Sequence, residues 1–161
     1  MNACKLAEIP LLMTRDMLKQ MLGDLSEAEL LERPVDGANH IAWQIGHLIV
    51  AEHRLGSQVP GAQYPELPAG FAEQHDRQPT AQQATTGFGT TTQYLALFER
   101  TREATLTALR RLTDADLDAP AKGPANVTNA GGVLMLIANH TMLHGGQFSV
   151  VRRKLGKPVL F

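Results

Sequence analysis

The sequence predicts an all-α bundle, on three observations. Four stretches carry apolar residues at the 3.6-residue period of an amphipathic helix. Cap residues or glycine and proline stops bound these stretches. One capping pattern also occurs twice, each time followed by a proline and then by a histidine-bearing helix.

The first long helix is expected over residues 6–22, where Ile9, Leu12, Met13, Met17 and Met21 alternate helically with Arg15, Asp16, Lys19 and Gln20. Gly23 stops it. Ser26 and Glu29 then form a capping box, in which the hydroxyl accepts from the Glu29 backbone while the carboxylate reaches back to the cap. It opens a short helix that ends before Pro34. Asn39 is the expected N-cap of the second long helix, which runs to Gly56 with Ile41, Ile45, Leu48, Ile49 and Leu55 on or near its apolar side and His47 in its middle.

From residue 56 to 89 the composition changes, with Pro60, Pro65, Pro68 and Pro79 and a Gln/Thr-rich run over residues 78–86. A connection of this length inside a compact domain either crosses the bundle or borders a functional site as a lid. The third long helix is expected over about residues 90–112, with Leu95, Phe98, Leu106, Leu109 and Leu112 in register. Thr113-Asp114-Ala115-Asp116 repeats the earlier capping pattern and ends before Pro120. Asn129 is the expected cap of the fourth helix, which carries Val133, Leu136, Ile137, His140, Leu143, His144, Gln147 and Val151 on or near one side. A basic last turn, Gly156 and Pro158 close it. The repeated pattern fits either two related halves or the chance recurrence of a common cap. If the halves are related, the two histidine-bearing helices are equivalent and face each other across the core.

At 161 residues the chain is long enough for one domain, spanning residues 1–161, with a sizeable core. Its net charge of −1 argues against nucleic acid as a partner, and the basic cluster Arg152-Arg153-Lys154 has a structural explanation in the helix macrodipole. The single cysteine, Cys4, excludes an internal disulfide framework and any cysteine-rich zinc module, and points to a reducing, cytoplasmic compartment. No apolar run approaches the ~18 residues of a membrane span, and no secretory leader is expected.

The chemistry-bearing residues lie on the second and fourth helices. His140 and His144 stand one turn apart on one helix face, with Cβ atoms roughly 5–6 Å apart, a spacing that lets two imidazoles share a metal ion. A catalytic zinc-type site uses three protein ligands and keeps one position open, so a third ligand is expected. His47, in the other apolar helix with a mid-helix histidine, is the best candidate. Burial of these imidazoles without any metal is the competing reading. Thr141 follows His140, so the glutamate of the zincin peptidases is missing.

The other polar candidates are weaker. His40 lies two turns before His47, about 10 Å away and near the helix start. His53 points away from His47 toward solvent, and His75 falls in the long connection. Glu52 is expected at the surface or an interface, about 140° round the helix from His47. Gln147 is placed to bond a ligand histidine or a bound water, or to cap a buried carbonyl. Cys4, in an N-terminus expected to fray, is a poor nucleophile.

Trp43-Gln44-Ile45-Gly46-His47-Leu48, His140-Thr141-Met142-Leu143-His144-Gly145-Gly146-Gln147 and the trailing Arg152-Arg153-Lys154-Leu155-Gly156 resemble the DinB/YfiT-like superfamily. The stretches Leu25-Ser26-Glu27-Ala28-Glu29-Leu30 and Gly70-Phe71-Ala72-Glu73 extend the resemblance over nearly the whole chain. The resemblance implies a four-helix bundle in up-down-down-up order. It also implies a divalent metal, commonly zinc or nickel, held at positions that are His47, His140 and His144 here. The expected chemistry is transfer of a low-molecular-weight thiol to a small-molecule substrate. A metal-dependent hydrolase, a non-catalytic metal-binding bundle and a homodimeric assembly stay open at this point.

Overall fold

The computed structural model describes residues 2–77, 84–124 and 126–158. Its helices are α1 (Ala3–Leu22), α2 (Glu27–Leu30), α3 (Ile41–Gly56), α4 (Phe71–Gln74), α5 (Thr91–Leu109) and α6 (Ala130–Lys154), with a 3-10 turn at Asp114–Asp118. Among the described residues there is no strand, only a lone antiparallel bridge between Pro120 and Asn129. No helix among them is long and apolar enough to cross a membrane.

The capping pattern expected twice forms twice. The Glu29 carboxylate accepts from the Ser26 N–H and hydroxyl, and the Asp116 carboxylate does the same for Thr113. The first opens an α-helical turn and the second a 3-10 turn. Asn129 caps α6 by accepting from the Gly132 N–H at 2.9 Å. At α3, however, the cap is His40 and not Asn39. The His40 Nδ1 accepts from the Trp43 N–H at 3.1 Å, while the Asn39 carbonyl takes a hydrogen bond from the Gln44 amide.

α1 starts earlier than its apolar pattern implies, because Asn2 caps it by accepting from the Lys5 N–H. Cys4 is therefore held in a helical turn and not in a frayed end. It is buried, and its N–H donates to the Asp114 carboxylate. The inward face of α1 runs through Ala7, Leu11, Thr14, Leu18 and Met21, whereas Ile9 and Met13 are exposed. Both faces of this helix are apolar in sequence, so periodicity alone could not choose between them. α5 stops at Leu109, which leaves Leu112 in the following turn.

The four long helices pack as a ring, α1 against α5 and α6, and α3 against the same two. Their apolar side chains form two clusters, one around Leu18, Ile45, Ile49, Phe98 and Phe148, the other around Leu11, Leu106, Leu109, Val133 and Ile137. Between them lies a polar layer to which every long helix contributes. Thr14 falls between Leu11 and Leu18, Glu52 follows Ile49, Arg102 falls between Phe98 and Leu106, and Thr141 falls between Ile137 and Phe148.

Arg102 is the hub of this layer. Its guanidinium donates to both Glu52 oxygens at 2.8 and 2.9 Å, to the Leu11 carbonyl at 2.7 Å, and to the Thr14 and Thr141 hydroxyls at 2.9 Å each. All five N–H donors of the side chain are thereby satisfied. Thr105 donates to Glu52 at 2.6 Å, and Tyr64 joins through the Thr105 hydroxyl. Glu52, expected at the surface or an interface, is thus 3 % exposed and paired with a fully buried cation.

The connection after α3 is pinned onto that helix by two glycines. A Cβ on Gly46 would come within 2.0 Å of the His75 ring, and one on Gly56 within 1.8 Å of the Tyr64 hydroxyl. Each hydrogen-only side chain leaves a notch that an aromatic ring of the connection fills. His75 is fully buried there. Its ring N–H donates to the Phe71 carbonyl at 2.7 Å, and its other nitrogen accepts from the Tyr94 hydroxyl at 2.8 Å. The centre of the Gln/Thr-rich run, residues 78–83 with Pro79, lies outside the described residues.

Candidate metal centre

His47 on α3 and His140 and His144 on α6 converge. One ring nitrogen from each lies within 4.8 Å of the other two. The ring centroids stand 5.3 Å apart for His47 and His140, 5.8 Å for His47 and His144, and 4.8 Å for His140 and His144. The Nε2 atoms of His140 and His144 are 3.2 Å apart. Nitrogens bound tetrahedrally at ~2.1 Å from one ion would stand about 3.4 Å apart, so this pair is already spaced for a shared cation.

Neighbouring side chains fix the ring orientations. Gln44 is fully buried, and its amide donates to the Asn39 carbonyl at 2.6 Å, which turns its oxygen toward His144. The His144 Nδ1 therefore carries the proton and donates to the Gln44 oxygen at 2.7 Å. That tautomer leaves Nε2, the nitrogen facing His140, with its lone pair free. His47 is held by Trp43, whose ring stacks on the imidazole at 4.8 Å with an interplanar angle of 9°. The Trp43 indole N–H donates to the Asp76 carbonyl, so the connection secures the stacked ring in turn.

Burial keeps all three imidazoles neutral. It pushes His47 down from 6.5 to about 4, helped by His140 and Arg77 and opposed by a hydrogen bond to the His75 backbone. It pushes His144 down to about 3, with His140, His47 and Arg77 adding to the effect. His140 is lowered by burial and by Arg77, against the pull of Glu52. Three neutral donors from two rigid helices, with one ring fixed in its tautomer, fit a divalent cation.

The face of His47 and His140 opens into a cavity of about 890 Å3, within the size range of small-molecule sites. The described part of the long connection borders it through Ala72, Glu73, His75, Asp76 and Arg77. The remaining sequence candidates lie elsewhere. His40 is a buried helix cap whose Nε2 donates to the Ala84 carbonyl. His53 is half-buried beside the Tyr64 ring and not fully exposed as expected. Glu52 faces Arg102. Gln147 is half-buried, and the partner of a site histidine is instead Gln44. A fully buried amide three residues before His47 is the signal that sequence reading passed over.

An all-helical fold in which two core helices bring three imidazoles to one point defines a helical protein with a candidate metal centre. The family model of the DinB superfamily matches residues 11–148, a span that includes all three histidines. The chain belongs to that superfamily. No curated protein matches it.

Two results follow from this geometry. Replacing Gln44 with Leu should lower metal affinity roughly 10–100-fold, the usual effect of losing the partner that orients a ligand histidine. Chelator competition on the folded variant measures it, and unchanged affinity would remove Gln44 from the site. The second concerns pH. His47, His75 and His144 bind protons near 6.5 when unfolded but only near 4, 4 and 3 when folded. The unfolded chain therefore takes up protons first as pH falls. Stability of the metal-free protein should be level above pH 6.5 and decline as pH drops from there toward 4. Urea midpoints at pH 7.5 and 5 test the sign, and equal midpoints would contradict it.

Proposed function

We propose that this protein is a metal-dependent enzyme acting on small molecules, with His47, His140 and His144 holding one divalent ion, zinc or nickel. The reaction we infer is transfer of a low-molecular-weight thiol to an electrophile. The convergence of three neutral imidazole nitrogens, with His47 and His140 lining a small-molecule-sized cavity, carries this reading. A divalent ion with an open position lowers the pKa of a bound thiol or water and so supplies a nucleophile at neutral pH.

The chain's own groups support the rest. The neutral imidazoles add no negative charge, so an anionic ligand is favoured at the open position. Trp43 and Gln44 keep the His47 and His144 rings in place. The protein's own thiol is poorly suited as the nucleophile: Cys4 is buried with its sulfur against the Leu112 carbonyl, and burial pushes its pKa up. The sulfur is therefore assigned to a cosubstrate.

We read the four long helices as up-down-down-up. The ion pairs of Glu8 with Arg110 and of Lys19 with Glu99 support opposite directions for α1 and α5. The pairings of Gln44 with His144 and of His47 with His140 support opposite directions for α3 and α6. Arg102 near Thr14 and Thr141, with Arg152 donating to the Met21 carbonyl, supports a parallel α1 and α6.

The test is to incubate metal-loaded protein with a panel of cellular thiols and a chlorinated aromatic. A sulfur–carbon bond forms, chloride leaves with the bonding pair, and the thiol proton passes to solvent. Product should form with wild type and fall to background with His47→Ala. Equal rates for the two proteins across the panel would overturn the transferase reading.

A further inference from the structure

The cavity beside the histidines is not uniform along its length. Val50, Ala51 and Leu55 of α3 give it an apolar floor. Arg54 lines it seven residues beyond His47, two helical turns or about 10 Å along the axis. Lys122, from the segment before α6, lines it as well. Gln58 fixes the backbone of Lys122 by a two-way clamp: its amide donates to the Lys122 carbonyl at 2.9 Å, and its oxygen accepts the Lys122 N–H at 2.8 Å. Arg77 lies nearer the histidines, since its charge bears on all three imidazoles.

Among the described residues, the side chains of Arg54, Arg77 and Lys122 form no ion pair or hydrogen bond, whereas Arg102, Arg110, Arg152 and Lys157 are all paired. Two acids also line the cavity. Asp76 is engaged locally, its carboxylate accepting the Arg77 N–H at 2.6 Å, and Glu73 is exposed. The cavity therefore joins a metal-binding end to a cationic end across an apolar stretch.

We propose that this cavity takes an elongated small molecule, with a metal-binding sulfur at His47 and His140 and an anionic group such as a carboxylate held by Arg54 and Lys122. The inference rests on the metal reading above and adds the substrate class. Charge-assisted hydrogen bonds from Arg and Lys are the stronger kind, and an exposed cation pair held at the end of a concave site selects for charge. The ~10 Å along α3 sets a ruler, which a six-carbon chain comes close to spanning and a two-carbon chain does not.

The experiment uses cobalt-loaded full-length protein and reads thiol binding from the sulfur-to-cobalt absorption band. Its probes are 6-mercaptohexanoate, the neutral 6-mercaptohexanol and the short mercaptoacetate. Wild type should bind 6-mercaptohexanoate roughly tenfold or more tighter than 6-mercaptohexanol, in line with hydrogen bonds to a charged group. The Arg54→Ala/Lys122→Ala variant should lose that preference while keeping its cobalt content and its affinity for mercaptoacetate. Raised salt should narrow the preference in wild type.

Equal binding of the acid and the alcohol by wild type would overturn the proposal and leave the metal reading intact. A preference that survives the double variant, or an equal loss for mercaptoacetate, would overturn the assignment to Arg54 and Lys122. Absence of the absorption band with every thiol would overturn the thiol reading itself.

Discussion

Glu52→Ala should lower the stability of the metal-free protein by about 3–5 kcal/mol, the usual result of stripping one partner from a buried ion pair. Arg102 is fully buried, and Glu52 accepts two of its five donors. Without the carboxylate a guanidinium stays in the core with its charge uncompensated and two N–H groups unpaired. The injury reaches the whole fold, because the same side chain ties α1 through Leu11 and Thr14 and α6 through Thr141. Replacing both partners with apolar residues of similar volume, Glu52→Leu with Arg102→Met, should recover most of the loss, since it leaves no charge in the core. Urea denaturation followed by far-UV circular dichroism measures both variants. A loss below about 1 kcal/mol for Glu52→Ala would mean that the pair is not buried as described.

That layer also shows where sequence reading stops. The four long helices were legible because period, caps and stops agreed with one another, and the histidine trio because i, i+4 spacing is a local property of one helix. Glu52 is expected at the surface or an interface because its angle on α3 gives its direction relative to His47 and not what lies opposite. Its partner is fifty residues away on α5. Arg102 looks in sequence like any cation on an amphipathic helix. Asn39 is the expected cap of α3 because its residue type is a common one, whereas the cap that forms is the ring nitrogen of His40, one residue on. His75 was placed correctly in the connection, but its burial depends on the notch at Gly46, and a notch between two distant segments has no periodicity to announce it. Local grammar was readable, and long-range polar pairing was not.

The second large effect is loss of metal. Removing either histidine of α6 leaves two ligands, too few for the closed or three-coordinate sites that hold divalent ions tightly. His140→Ala should abolish tight binding outright, since its Nε2 is the atom spaced at 3.2 Å from that of His144. His144→Ala also leaves the buried Gln44 oxygen without its imidazole donor. Both variants should fold, because neither imidazole belongs to the two apolar clusters that hold the four helices together.

Trp43 offers an internal monitor, as the chain's single tryptophan stacks on the His47 ring. Titration of zinc into the metal-free wild type should change its fluorescence and saturate at one equivalent. Both α6 variants should leave the signal flat over the same range.

The most direct measurement is elemental analysis of the protein purified without a metal column, alongside His47→Ala, His140→Ala and His144→Ala. The expected result is one divalent ion per wild-type chain, zinc or nickel, and a content near zero in each variant. Wild-type metal content in the three variants would contradict the site.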